Sequence, residues 1–337
     1  MVKFYKILFF NTLVIGTLIS ISSYSWFSMW MGLEINLLSI IPLMSSQKNL
    51  YPSEAALKYF ITQALASSIL LFSIVMNLNM SELIPQSFNY FIMTMMNSSF
   101  FTKMGAAPFH AWFPEVMDGL DWNNCLIMLT WQKIAPMVLM MYTLQTSMFI
   151  VTIIISSTII GSILGLNQTS LRKIMAYSSI NHIGWMIASM LNSQTIWMIY
   201  FVIYTIISFN IVVILDQIKS FQMKQLNSSL NANKMIKLLF MMNFLSLGGI
   251  PPFLGFLPKW LTINNLIYNN FIVLSLILIV FTLVTLFYYL RITFSTMVIN
   301  SEETMILQKK KLSFMIFFIN LLSLAGLAAC SLIFNLY

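Results

Sequence analysis

Residues 271–290 read FIVLSLILIVFTLVTLFYYL, an uninterrupted apolar run of the length, about 20 residues, that a helix needs to cross the hydrocarbon core of a bilayer. No water is available there, so every backbone N–H and C=O must be bonded within the protein and the run predicts a helix. It does not alternate and is too long for a barrel strand. Comparable runs fill the chain, in which 59% of 337 residues are hydrophobic, 8% are charged and the mean hydropathy is +0.86. Soluble domains carry about 25% charged residues. This composition therefore excludes a soluble globule and sets the fold class as an all-α integral membrane protein.

Counting about 20 apolar residues per crossing gives roughly eleven transmembrane helices. They fall near 4–23, 25–44, 55–78, 86–119, 123–143, 148–167, 173–192, 195–216, 234–264, 270–294 and 312–335. The first follows Met1 without a small-residue cleavage site, so it reads as a retained span rather than a removable signal. Lysine and arginine fall on one set of connections: Lys3 and Lys6, Lys48, Arg172 with Lys173, Lys219 to Lys237, and Lys309 to Lys311. The opposite connections, around Tyr24, 80–85, Gln145, Ser193, Tyr268 and Tyr337, contain Glu82 as their single charge. By the positive-inside rule the N-terminus lies on the negative side and the C-terminus across the membrane, which an odd number of spans also requires. The net charge of +8 is accounted for by loops beside anionic headgroups, without nucleic acid. The stretch 217–233, rich in Ser and Asn, reads as the one sizeable loop.

Two spans are too long and carry the same interruption. Gly105-Ala106-Ala107-Pro108-Phe109, four residues and Pro114 match Gly249-Ile250-Pro251-Pro252-Phe253, four residues and Pro258, both G-x-x-P-F-x4-P. Proline removes a helix hydrogen bond and glycine relaxes the backbone, so each site predicts a broken helix. The copies lie five spans apart, an odd number, so the second is upside down relative to the first. Inverted repeats with a discontinuous helix in each half are an architecture of membrane transporters. The expected organisation is a single transmembrane domain over 1–337, with five-helix repeats at about 4–143 and 148–294 and a terminal helix at about 312–335. The competing reading is chance similarity between two Gly/Pro kinks, which membrane helices tolerate freely.

Charge inside the spans is the second signal, because an ionised side chain at the bilayer centre costs at least ~2.5–3.5 kcal/mol and tends to face the bundle interior. Glu34 lies midway along the second span, Lys103 just before the first break, and Lys133 within the fifth span. His182 lies within the seventh span, Lys259 just beyond the second break, and Lys58 near the start of the third. One acid among several bases suits a coupled proton carrier, since opening or closing a Glu–Lys pair changes how strongly the next lysine holds its proton. Bland readings stand beside these. Glu34 could hold two helices together as a structural ion pair, Lys58 could snorkel to the charged side, and His182 could be a hydrogen-bonded core residue. Glu115, Asp118 and Asp121 read as solvated helix-end charges, and Arg291 as an interface anchor. Cys125 and Cys330 each sit in an apolar run, and His110 and His182 lack metal-binding spacing, so neither disulfide, metal site nor redox cofactor is expected on this chain.

The stretches APFHAWFPEVMDGL (107–120), LGLNQTSLRKIMAYSSINHIGWM (164–186) and LSLGGIPPFLGFLPKWL (245–261) resemble the subunit 2 family of mitochondrial NADH dehydrogenase (ubiquinone), antiporter-like membrane subunits of respiratory complex I. The resemblance implies proton translocation coupled to NADH oxidation and ubiquinone reduction on other subunits, which would hold the FMN and iron–sulfur clusters. It places the family's buried glutamate on Glu34, its partner lysine on Lys103, its central lysine on Lys133 and its exit-side lysine on Lys259. His182 and Lys58 match more loosely. It further implies the mitochondrial inner membrane, an N-terminus on the matrix side and a C-terminus in the intermembrane space. The implied partners are antiporter-like siblings, accessory subunits and phospholipids such as cardiolipin. The chain matches the animal form lacking the first three spans of bacterial relatives, and has no lateral helix after its last span. The rival functions are a free-standing cation/proton antiporter and a structural spacer subunit.

Overall fold

The computed structural model describes residues 4–45, 49–80, 86–144, 148–230 and 234–298, together with Asn320 and Gly326. Its regular structure among these residues is fourteen α-helices, and one isolated antiparallel bridge joins Ser170 to Gln222. Among the described residues, seven helical stretches are long and apolar enough to cross a membrane: Phe4–Ser22, Trp26–Met44, Tyr51–Leu78, Trp122–Thr143, Met148–Leu166, Gln194–Ile218 and Ile272–Met297. Three further expected crossings are helical but interrupted or more polar, and the last, 312–335, falls outside the described residues apart from Asn320 and Gly326. The chain divides into two compact units, Met1–Ile153 and Ile154–Tyr337.

The first unit opens with a helix pair, α1 (Phe4–Ser22) and α2 (Trp26–Met44). Ser25 caps α2, its hydroxyl accepting from Ser28 N. The pair packs backbone to backbone because glycines face each other: a Cβ on Gly32 would lie 2.6 Å from Ser20 N, and one on Gly16 would lie 3.0 Å from Asn36 N. The Trp30 indole on α2 donates to Ser67 O at 3.2 Å on α3 (Tyr51–Met80). There follow α4 (Gln86–Met104), α5 (Trp112–Gly119), α6 (Trp122–Leu129) and α7 (Trp131–Thr143). The fifth expected span is thus jointed at Thr130, three residues before Lys133, and Pro136 removes a further helix bond inside α7.

In the second unit the least apolar of the long helices is the most enclosed. Of the twenty residues of α9 (Leu171–Met190), seventeen are buried, including Ser178, Ser179, Asn181, His182 and Ser189. Close approach is again set by glycine. A Cβ on Gly161 of α8 (Met148–Leu166) would meet Asn181 N at 2.7 Å, and one on Gly184 would meet Ser157 Oγ at 2.5 Å. Around α9 stand α10 (Gln194–Ile218), α12 (Lys234–Gly248), α13 (Phe256–Tyr268) and α14 (Ile272–Val298). The stretch expected as a loop at 217–233 contains a short helix, α11 (Met223–Leu230). Gln225 Oε1 accepts from Phe221 N and Gln222 N at 3.0 and 3.3 Å, the reciprocal half of a capping box. Arg291, expected as an interface anchor, donates to Leu166 O at 2.6 Å and Gln168 O at 3.1 Å. It places a cation on the C-terminal carbonyls of α8.

Candidate functional site

Both helix breaks have the same local cause. Gly105 and Gly249 adopt φ of +75° and +80°, a left-handed conformation that suits glycine. At the first, Gly105 N donates to Thr102 O at 3.3 Å and Ala106 N to Phe101 O at 3.0 Å. At the second, Gly249 N donates to Ser246 O at 3.0 Å and Ile250 N to Leu245 O at 3.4 Å. Each is a Schellman termination, and the proline three residues after the glycine prevents the helix from resuming at once. What caps the exposed carbonyls differs. At the first break the Trp112 indole donates to Thr102 O at 3.0 Å and Gln63 Nε2 to Lys103 O at 3.5 Å. At the second, the Lys259 ammonium donates to Gly248 O at 2.8 Å and Leu247 O at 3.2 Å.

The break residues leave room for these contacts. A Cβ on Gly249 would fall 2.8 Å from Lys259 Cδ and 3.0 Å from its Nζ, and one on Gly255 would fall 1.8 Å from Ser246 O. Neither position admits a side chain without moving backbone or lysine.

In the first unit, Lys103 and Lys133 are buried at 7% and 1% exposure. Lys103 lines a cavity of about 10 Å³ with Leu33, Asn36, Tyr59, Gln63 and Gln132 among its walls, room for about one water. Glu34, half-buried on α2, acts electrostatically on Lys103 and Tyr59, and its Oε1 has no hydrogen-bond partner among the described residues. Among the described residues no ion pair joins Glu34 to Lys103. Lys133 Nζ lies 5.6 Å from the ring centroid of Phe113, a residue that also packs under Gly105. Lys58 points outward: its ammonium pairs with Glu54 at 3.2 Å and Glu115 at 3.1 Å on an exposed face. Glu115, expected as a solvated helix-end charge, stands exposed in the first turn of α5 and pairs there with Lys58.

In the second unit, His182 Nδ1 lies 2.9 Å from Tyr200 OH, and its ring packs 5.2 Å from that of Tyr204. A cavity of about 10 Å³ joins His182, Tyr200 and Tyr204 to Ser246, Leu247, Gly255 and Pro258 of the second break. Leu247 is one of the carbonyls that hold Lys259, whose Nζ also lies 5.9 Å from the Trp185 ring. The structure thus brings His182 and Lys259 to one break, and Lys103 with Glu34 to one cavity. The neutral residues that complete both clusters, Asn36, Tyr59, Gln63, Gln132, Tyr200 and Trp185, escaped sequence reasoning. The amides at 63 and 132 carried a usable signal, since a polar side chain inside an apolar run needs a partner.

Residues 23–285 match the family described as NADH:quinone oxidoreductase/Mrp antiporter, TM. The chain belongs to that family. Within it, this subunit is 48% identical over 332 residues to NADH-ubiquinone oxidoreductase chain 2 of Anopheles gambiae, covering 97% of each chain. It is 45% identical over 319 residues to the same-named chain of Locusta migratoria, covering 95% of this chain and 93% of that one. It is therefore a member of the chain 2 group and a multi-pass membrane protein. Its fold matches a chain in respiratory complex I from Thermus thermophilus with bound aureothin, at TM-score 0.85 and 21% identity over 97% of this chain and 77% of that one. It also matches a chain of the Mrp complex from a Dietzia species, at TM-score 0.80 and 14% identity over 96% and 74%. At those identities the likeness concerns fold alone.

Proposed function

We propose that this chain is a proton-translocating membrane subunit of NADH:ubiquinone oxidoreductase, with the redox chemistry carried by other subunits. The observation that carries the reading is the pair of helix breaks with matching termini, one ending on buried Lys103 and the other gripping buried Lys259. Glu34 and Lys103 govern protonation of Lys133, and the proton passes on to the cluster of His182 and Lys259. Lys58, tied to Glu54 and Glu115, takes the lesser part of an entry-side charge. Family membership and near-full-length relatives named as chain 2 of this oxidoreductase support the reading over a free-standing cation/proton antiporter or a spacer.

The finer picture belongs to the same proposal. Eleven spans, including 312–335, form two inverted five-helix repeats and a terminal helix in the mitochondrial inner membrane. The N-terminus faces the matrix and the C-terminus the intermembrane space. Antiporter-like siblings, accessory subunits and phospholipids such as cardiolipin cover its apolar faces. Replacing Lys133 by Met in the assembled complex, reconstituted in closed vesicles, tests the function. Fewer protons moved per NADH oxidised is the expected result, and an unaltered ratio overturns it.

A further inference from the structure

Three helices of the first unit send neutral polar side chains to the cavity that Lys103 of α4 lines: Asn36 from α2, Tyr59 and Gln63 from α3, and Gln132 from α7. Gln132 stands at the centre of this set. Its Nε2 donates to Asn36 Oδ1 at 2.8 Å and its Oε1 accepts from Tyr59 OH at 3.4 Å, all three side chains being buried. Asn36 lies two residues after Glu34, and Gln132 immediately precedes Lys133. One hydrogen bond therefore links the helix that carries the acid to the helix that carries the central lysine. A primary amide offers two donors and two acceptor positions, so these bonds leave Gln132 one N–H and one lone pair for a further partner. The cavity, about 10 Å³ in volume, is the size for a single water, and a buried water takes about three polar neighbours.

We propose that Gln132 is a positioning residue, its amide holding a water in the Lys103 cavity in the orientation in which that water receives a proton from Lys103 for delivery toward Lys133. The inference rests on the proton-translocating reading above. In the step an N–H bond of the Lys103 ammonium breaks as an O–H bond to the water forms. The water releases a different proton onward, no electron moves, and the amide keeps its own hydrogens. Glutamine suits this position because its fixed donor and acceptor orient water without adding a charge to compete with Glu34 or Lys103.

The test compares four forms of the assembled complex in closed vesicles: unaltered, Gln132→Leu, Gln132→Met and Lys133→Met. Protons moved per NADH and the solvent deuterium effect on proton movement are read for each. Gln132→Leu is expected to lower the ratio and enlarge the deuterium effect, and Gln132→Met, which keeps the length of glutamine without its donor or acceptor, to do the same. An unaltered ratio in Gln132→Leu beside a lowered one in Lys133→Met overturns the inference and leaves the function standing. Unaltered ratios in both overturn the function as well. A loss in Gln132→Leu that Gln132→Met does not share assigns Gln132 to helix packing and also overturns the inference. Should Gln132→Leu fail to assemble, Tyr59→Phe decides: it removes one hydroxyl and keeps the ring contact with Trp112 at 5.7 Å. A lowered ratio then supports the proposal and an unaltered one overturns it.

Discussion

At the residue level, Gly249 decides where Lys259 can rest. The ammonium reaches Gly248 O and Leu247 O across the face from which a Cβ is missing. Gly249→Ala adds a methyl 3.0 Å from Nζ and strains a backbone at φ +80°. We expect fewer protons per NADH in the assembled complex although Lys259 itself is retained; a ratio equal to the unaltered complex would refute this positioning role. A milder case is Trp112→Phe, which keeps the aromatic bulk and removes the donor to Thr102 O. Its expected cost is about 1 kcal/mol, the net value of one hydrogen bond, measurable as a lower midpoint for thermal inactivation of the complex. The lysines and Glu34 were legible in the sequence because intramembrane charge is rare. Asn36 and Tyr59 were not, since a neutral polar side chain gains meaning through the partner that folding brings to it.

At the level of the element, terminations and close approaches matter more than helix propensity. The matched glycine–proline spacing made both breaks legible, and the Schellman pattern at 101–106 and 245–250 explains why the motif begins with glycine. The joint at Thr130 was not legible, as no glycine or proline marks it and its backbone turns at ψ −71° within an apolar run. Helix α11 was hidden by a composition that reads as loop until Gln225 is seen capping it. The α1–α2 pair offers a test of packing. Gly32→Ala pushes a methyl to 2.6 Å from Ser20 N, which side-chain rotation cannot relieve. Overpacking of this kind costs about 1–3 kcal/mol, so we expect a lower yield of assembled complex with normal protons per NADH in what does assemble. Reduced coupling at normal yield would show instead that the pair communicates with Glu34.

At the level of the whole molecule, the one-sided placement of lysine and arginine predicts which connections face which compartment. A single cysteine introduced at Gln225 should react with an impermeant maleimide from the matrix side, and one at Asn269 from the opposite side. Labelling of both from the same side would break the proposed topology. The enclosure of α9 has another consequence, which concerns biogenesis. Arg172 and Lys173 stand in its first turn, Asn181 and His182 at its middle, and it is absent from the helices apolar enough to enter a bilayer by themselves. Partitioning from the ribosome-bound translocon into lipid is thus unfavourable for α9 in isolation. It must wait at the insertion channel, or leave it together with the greasy segments on either side. In nascent chains halted before α10 emerges, α9 should therefore crosslink to the insertion channel rather than to lipid, whereas in chains that include α10 it should not.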